Sequence, residues 1–328
     1  MTGIWARNET LVAGVILAFV ALATLADPSF LSVPTLMDLL RLSIVLGLFA
    51  VGAMMVLVSG GIDVSFTAVA AFAMYTTTIL LLNVAPDLPW PLAFLISTAI
   101  GASLGAINGA LIAGLGLPTL IVTLGTLSVF RGFLLTFVGT LQIMNLPSGM
   151  RDFSRLMIVR RNNPDGSFWS LPWAVAFLLG AVVLTWFLLH RTMWGRGVFA
   201  IGGSAESARR IGIPVRRTQF LVYVYVGALA GLAGIVHASL NRIANPFDLV
   251  GQELSVIAAV VLGGAGLAGG TGTLTGTLLG VALIVLVSNS LIVLGIPSSF
   301  QNIAIGVLIL IGTGLPAWQA RRAARRAA

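Results

Sequence analysis

Residues 190–219 read HRTMWGRGVFAIGGSAESARRIGIPVRRTQ. Six arginines (Arg191, Arg196, Arg209, Arg210, Arg216 and Arg217) stand here against a single acid, Glu206. The flanks are the opposite in character. Leu171–Leu189 before the segment and Phe220–Leu240 after it are almost wholly apolar. Apolar runs of that length suit bilayer-crossing helices. Arginines concentrate in short segments on the cytoplasmic side of a membrane. The segment therefore reads as a cytoplasmic loop between two spans, and the remaining topology follows from it.

Composition supports the same class. Of 328 residues, 58% are hydrophobic and only 9% are charged, and the mean hydropathy is +1.05. A soluble fold has too little polar surface to solvate such a chain. An all-α polytopic membrane protein of about ten transmembrane helices is expected, with residues 1–328 forming a single transmembrane domain. All eighteen basic residues are arginine. Without lysine there is neither a Walker A phosphate loop nor a Schiff base. The net charge of +8 follows from arginines in loops and the C-terminal tail, so membrane topology explains it and nucleic acid is not expected as a partner. With no cysteine, thiol and disulfide chemistry are excluded. His190 and His237 stand alone, so no metal site is expected.

Taken in order, the expected spans are Leu11–Ala26, Thr35–Ser59, a third to about Asn83, Pro91–Leu115, Thr119–Val138, Leu171–Leu189, Phe220–Leu240, a short eighth at Glu253–Leu267, Thr271–Leu294 and Ser298–Leu315. The first run suits a span better than a cleaved leader, because its N-terminal flank is weakly basic. An even count puts both termini on one side. The tail arginines Arg321, Arg322, Arg325 and Arg326 make that side cytoplasmic. The loop at 85–89 then lies outside. So does the 139–170 loop, although Arg151, Arg155, Arg160 and Arg161 outnumber Asp152 and Asp165 there. NGALIAGLGLP from Asn108 and NSLIVLGIP from Asn289 echo each other and suggest an inverted repeat.

Several residues carry two readings. Asp63, in SGGIDVSF, either caps a helix starting near Ser65 or handles substrate or protons. Arg131 pairs, snorkels, or faces a path. Asn108, Thr123, Thr126, Asn289 and Gln301 are neutral polar groups suited to line a path for a polyol, or to hydrogen bond between helices. Gly272, Gly276 and Gly280 lie four apart and fit close helix packing or a broken segment along the path. Gly227, Gly231 and Gly234 read as packing glycines. Glu253 reads as the start of the short eighth helix.

Five stretches together resemble a known family. They are SGGIDVSFTAVAAFA (59–73), INGALIAGLGLPTLIVTLGTLSVFRG (107–132), GRGVFAIGGSAESARRIGIPV (195–215), LAGLAGIVHAS (229–239) and GQELSVIAAVVLGGAGLAGGTGTLTGTLLG (251–280). The chain resembles the permease subunit of ribose-type carbohydrate ABC importers, a group that includes rhamnose and autoinducer-2 permeases. The likeness covers roughly residues 35–315. Gly202-Gly203-Ser204 departs mildly from the asparagine-containing form common there. The resemblance implies a non-enzymatic subunit of the bacterial cytoplasmic membrane that translocates a sugar or related small polar solute. It implies a second permease subunit, as a homodimer or heterodimer, and cytoplasmic ATP-binding subunits that hold the ATP and magnesium. It also implies a periplasmic or lipid-anchored sugar-binding protein. Glu206–Ile211, followed by Gly212 and Pro214 as stop signals, would be the helix that couples to the ATPase, with Gly202, Glu206, Arg209 and Gly212 as coupling residues. An ion-coupled secondary transporter is the alternative; it needs mid-span ionisable groups, which are few.

Overall fold

The computed structural model describes residues 5–26, 28–162 and 168–293, together with 300, 303, 306, 307 and 310. The chain folds as a helical bundle around two long helices. α1 spans Trp5–Ala26, α2 Val33–Val58, α3 Phe66–Val84, α4 Trp90–Gly109 and α5 Thr119–Phe133. Single π-turns extend α4 to Gly114 and α5 to Val138. After the short α6 (Ser148–Phe153) come strands β1 (Met157–Asn162) and β2 (Phe168–Pro172). α7 is Val175–Arg191, α8 Met193–Gly203, α9 Ala205–Arg210, α10 Val215–Asn241, α11 Glu253–Leu262 and α12 Leu274–Val293.

Six of the described helical spans are long and apolar enough to cross a membrane, and a seventh if the bent pair α7–α8 counts as one. α11 holds ten residues, about 15 Å of helix, which is half a bilayer core. The expected eighth span is therefore a half-helix, cut short by the glycines that follow it. Of the expected tenth span only residues 300, 303, 306, 307 and 310 are described, and Gln301 and residues 294–299 lie outside the described residues.

α2 is buried on every side from Gly47 to Val58. Ser32 starts it, its hydroxyl accepting the Thr35 N–H, and Gly60-Gly61 stops it. α10 is the second hub and packs on α4, α3 and α2. Its contact with α4 is made by backbone. A Cβ on Gly105 would fall 2.2 Å from Tyr223 O, one on Gly101 2.3 Å from Gly227 O, and one on Gly231 2.3 Å from Ser97 O. The Ser97 hydroxyl donates to Gly231 O at 2.8 Å across the same seam. Small residues allow this approach, and in lipid dispersion and hydrogen bonds replace the hydrophobic effect as the cement. The expected packing role of Gly227 and Gly231 is thus met on α4, while Gly234 meets α3 at Ala70 O. Gly276 and Gly280 seat α12 on Gly263 and Ala259 of the α11 arm in the same way.

Two departures from the expected loops matter. Residues 190–219 are nearly all helical. α8 turns 78° from α7, α9 follows it, and α10 begins at Val215. The arginines mask an apolar set in α8, where Val198 and Ile201 are buried. The 139–170 segment also carries structure: α6 and β1, which pairs antiparallel with β2, and Ile143, which forms an isolated bridge with Ala244; these depart from an all-α chain.

Contacts sort the connections onto two ends. At one end, Gly270 N–H donates to Val58 O, and Thr275 donates to Glu9. At the other, Ser148 N–H donates to Pro86 O, Arg242 Nε to Ser154 Oγ and Tyr75 to Leu141 O. α7 joins the two, placing the β hairpin at the end opposite α9.

Candidate functional site

α9 projects at its end of the bundle. Ser204 caps it by accepting the Ser207 N–H. Ala208 is buried against Ile201 and Val215 and anchors the helix. Glu206, Arg209 and Arg210 are exposed. Glu206 pairs with Arg210 one turn on, an exposed pair of little stabilising value. Arg209 has no partner among the described residues. Gly212 takes φ +84°, which lets the chain reverse into α10. The helix occupies Ala205–Arg210 rather than 206–211, since Ser204 is the better cap.

Immediately before α9, three Gly-Gly pairs converge: Gly60-Gly61, Gly202-Gly203 and Gly269-Gly270. A Cβ on Gly202 would fall 1.8 Å from Val58 O and 2.4 Å from Gly270 N. One on Gly269 would fall 2.6 Å from the Gly60 Cα. Gly203 faces open space. The end of α8, the break between α2 and α3, and the arm between α11 and α12 therefore touch main chain to main chain. With no side chain between them, a displacement of one cannot be absorbed by rotamer changes. From sequence, Gly60-Gly61 reads only as a helix break and Gly269 only as part of the glycine-rich 263–280 stretch; that they meet Gly202 is not legible there.

Above this junction lies a buried polar group. Asp63 accepts from the Ser65 N–H and hydroxyl, both at 2.7 Å, and so holds the start of α3. Asn108 Nδ2 donates to Ser65 Oγ at 2.7 Å. Thr119 Oγ1 accepts the Ile62 N–H, and Thr123 donates to Ile62 O. Thr126 donates to Thr123 O. Three sequence candidates, Asp63, Asn108 and Thr123, thus meet around the α2–α3 break, joined by Ser65 and by Thr119, which sequence did not flag; Thr126 bonds only within α5. Asn108 Oδ1 and Tyr223 Oη are buried without a hydrogen-bond partner among the described residues. Glu253 begins α11 and accepts from Gly251 N–H and from the Thr67 hydroxyl. Asn289 sits apart, half-buried in α12.

Arg131 is placed differently. It is exposed on α5, with no acid within ion-pair distance among the described residues. Gly125, Ser128 and Gly132 share that exposed side, and both glycines open onto empty space. From the 1.5 Å rise, Arg131 lies about 10 Å from the Val138 end of the span. A charge facing hydrocarbon at that depth is costly.

Among known proteins, the family described as branched-chain amino acid transport system / permease component matches residues 35–312. The ribose import permease protein of Bacillus subtilis (strain 168) is 36% identical over 294 residues, 89% of this chain and 87% of that one. The chain belongs to the ribose-type ABC importer permeases. The autoinducer 2 import system permease protein of Enterobacter sp. (strain 638) is 34% identical over 90% of this chain and 82% of its own length. That of Salmonella typhi is 32% identical over 93% and 84%. No solved structure matches the chain. The permease is therefore a multi-pass integral membrane transport component, not an enzyme, of a family that works with ATPase and substrate-binding partners. The likeness covers the α2–α3 break, α9 and the glycine arm alike.

Proposed function

We propose that this permease imports a sugar or related small polar solute across the bacterial cytoplasmic membrane, driven by ATP hydrolysis in a partner subunit. The glycine junction carries the reading. α9 is the exposed contact for the ATPase, with Glu206 and Arg209 on its surface and Gly202 and Gly212 at its roots. The α9 end is then cytoplasmic, and ATP and magnesium bind on the partner. Closure of the ATPase would displace α9. The Gly60–Gly202–Gly269 contact would pass that displacement to the α2–α3 break and the α11 arm, as a rigid-body switch. A second permease subunit, the same chain or a related one, would face the open side of α5. The path would run there, past Ser128 and Arg131, with Asp63, Asn108, Thr123 and Thr126 holding the break in shape behind it.

Two measurements test this. In the reconstituted complex, Arg209→Glu is expected to lower solute uptake by about tenfold or more, equivalent to about 1.4 kcal/mol of lost coupling. Its folding should be unchanged, because the Arg209 side chain is exposed and makes no hydrogen bond or ion pair among the described residues. Normal ATP-dependent uptake by this variant overturns the assignment of α9. For the path, Ser128→Cys introduces the sole thiol in the chain. It is expected to react with a charged, water-soluble thiol reagent. Reaction only with a lipid-soluble reagent would place this side of α5 against the bilayer and remove it from the path.

A further inference from the structure

A groove of about 340 Å³ opens beside the root of α9. Pro214, Arg217 and Leu221, spaced along one face of α10, form one wall. Met193 and Trp194 at the start of α8 form the other, and Ile211 and Ile213 of the α9–α10 turn complete it. The walls are tied together. Trp194 Nε1 donates to Thr218 O at 3.3 Å. A Cβ on Gly197 would fall 3.3 Å from Ile213 Cγ2, so α8 already sits close against the turn. One on Gly195 would fall 2.2 Å from Leu188 O, a close contact that holds α8 on the end of α7. The groove is therefore formed before anything enters it, which lowers the entropy cost of an occupant.

Its place is where spans end. α7 closes on His190 and Arg191, α8 turns 78° away, and α10 starts at Val215. Trp186 is exposed on the last turns of α7, with the Arg191 guanidinium 5.5 Å from its ring centroid. Exposed tryptophan beside arginine marks the level of a membrane–water boundary. Polarity is graded along the groove. Arg217 lies in the first turn of α10, while Leu221 belongs to the apolar run that begins at Phe220, and both are exposed. Arg217 has no acid within ion-pair distance among the described residues. Pro214 gives α10 no side-chain cap, so the positive end of that helix stands at the same rim. A cationic rim above an apolar slot complements a lipid in both its parts. A soluble partner would meet the rim and leave Leu221 uncovered.

We propose that this groove binds an anionic phospholipid of the cytoplasmic leaflet, its phosphate on Arg217 and an acyl chain along Leu221 and Met193, and that the bound lipid steadies α9 for coupling. The inference rests on the importer reading above, which makes this end cytoplasmic. A guanidinium grips phosphate oxygens in bidentate fashion. Ile211 and Gly212, which join α9 to α10, also line the groove. A lipid seated there fills the space beside the turn, so α9 tilts less without carrying α10 along.

Two readouts test this. Labelled phosphatidylglycerol retained by the purified full-length permease in detergent measures binding. ATP-coupled uptake by the complete importer, in phosphatidylcholine vesicles with rising phosphatidylglycerol, measures the consequence. Arg217→Gln is expected to retain about fivefold less labelled lipid than the wild type. Wild-type uptake should rise with phosphatidylglycerol, and Arg217→Gln should flatten that rise. Arg216→Gln removes the same charge one residue away, outside the groove, and should follow the wild type in both readouts. Equal retention by the wild type and Arg217→Gln overturns the proposal. So does a loss of uptake in Arg217→Gln that is the same at every lipid composition, which would assign the residue to the ATPase contact. Glycerol phosphate in solution that replaces the lipid would make this a free-anion site and overturn it too. Uptake indifferent to phosphatidylglycerol removes the coupling role. Uptake absent in every lipid sinks the importer reading, and retention by the purified permease still decides the groove.

Discussion

Gly202→Val is expected to cut both the stability of the permease and its ATP-coupled uptake, whereas Gly203→Ala, one residue on, should leave both near wild type. The first side-chain atom at position 202 would lie 1.8 Å from Val58 O, far inside contact distance. The oxygen cannot retreat, because it already accepts the Gly270 N–H at 2.9 Å. Accommodating the side chain means parting α8 from the α2–α3 break and from the glycine arm together. Overpacking of a tight interior costs ~1–3 kcal/mol and sometimes more, and backbone contacts on two sides place this site at the upper end. Position 203 opens onto space. The pair separates a steric cause from any general effect of replacing glycine before α9. Thermal unfolding in detergent measures the first loss, and uptake by the reconstituted complex measures the second. Equal behaviour of the two variants would remove the junction from the mechanism.

Gly227→Leu should be still more damaging. α4 and α10 meet backbone to backbone, and a Cβ at Gly227 would fall 2.3 Å from Gly101 O. A leucine adds three further carbons to that clash. The helices must separate along the seam, and the Ser97 hydrogen bond to Gly231 O goes with them. The expected loss exceeds ~3 kcal/mol, and little monodisperse protein should survive detergent extraction. Gly180→Leu on the exposed side of α7 is the matched control within a helix, since nothing stands within 4 Å of its added carbon. Size-exclusion profiles of the two variants compare them directly. A well-behaved Gly227→Leu protein would mean that the α4–α10 seam is looser than its geometry implies.

Much of this architecture is visible along the chain. The apolar runs that became α2, α3, α4, α5, α10 and α12 are long and nearly free of charge, and only helices satisfy the backbone in such a setting. Gly227 and Gly231 were legible as packing residues because spacing by four marks one helix face. Asp63 was legible as a helix-start residue from the Gly-Gly break before it. Other features were hidden for identifiable reasons. α8 was read as loop because its short apolar set stands among Arg191, Arg196 and Arg209. The half-helix α11 was read as a span because Gly263 to Leu267 is apolar enough to extend it on paper.

The sequence by itself determined the class of molecule, a helical protein with several membrane spans. That follows from summed quantities: apolar content and charge. The tertiary structure decided which residues act together. Gly60, Gly202 and Gly269 are far apart in the chain, and nothing local says that they touch; a glycine in a turn and a glycine in a three-way backbone contact look alike in sequence. The same holds for Thr123 and Arg131, eight residues apart on one helix. Helix rotation in the bundle turned the threonine inward to Ile62 O and left the arginine on the open side. That rotation is set by how α5 packs on α3, which depends on every neighbour of both helices.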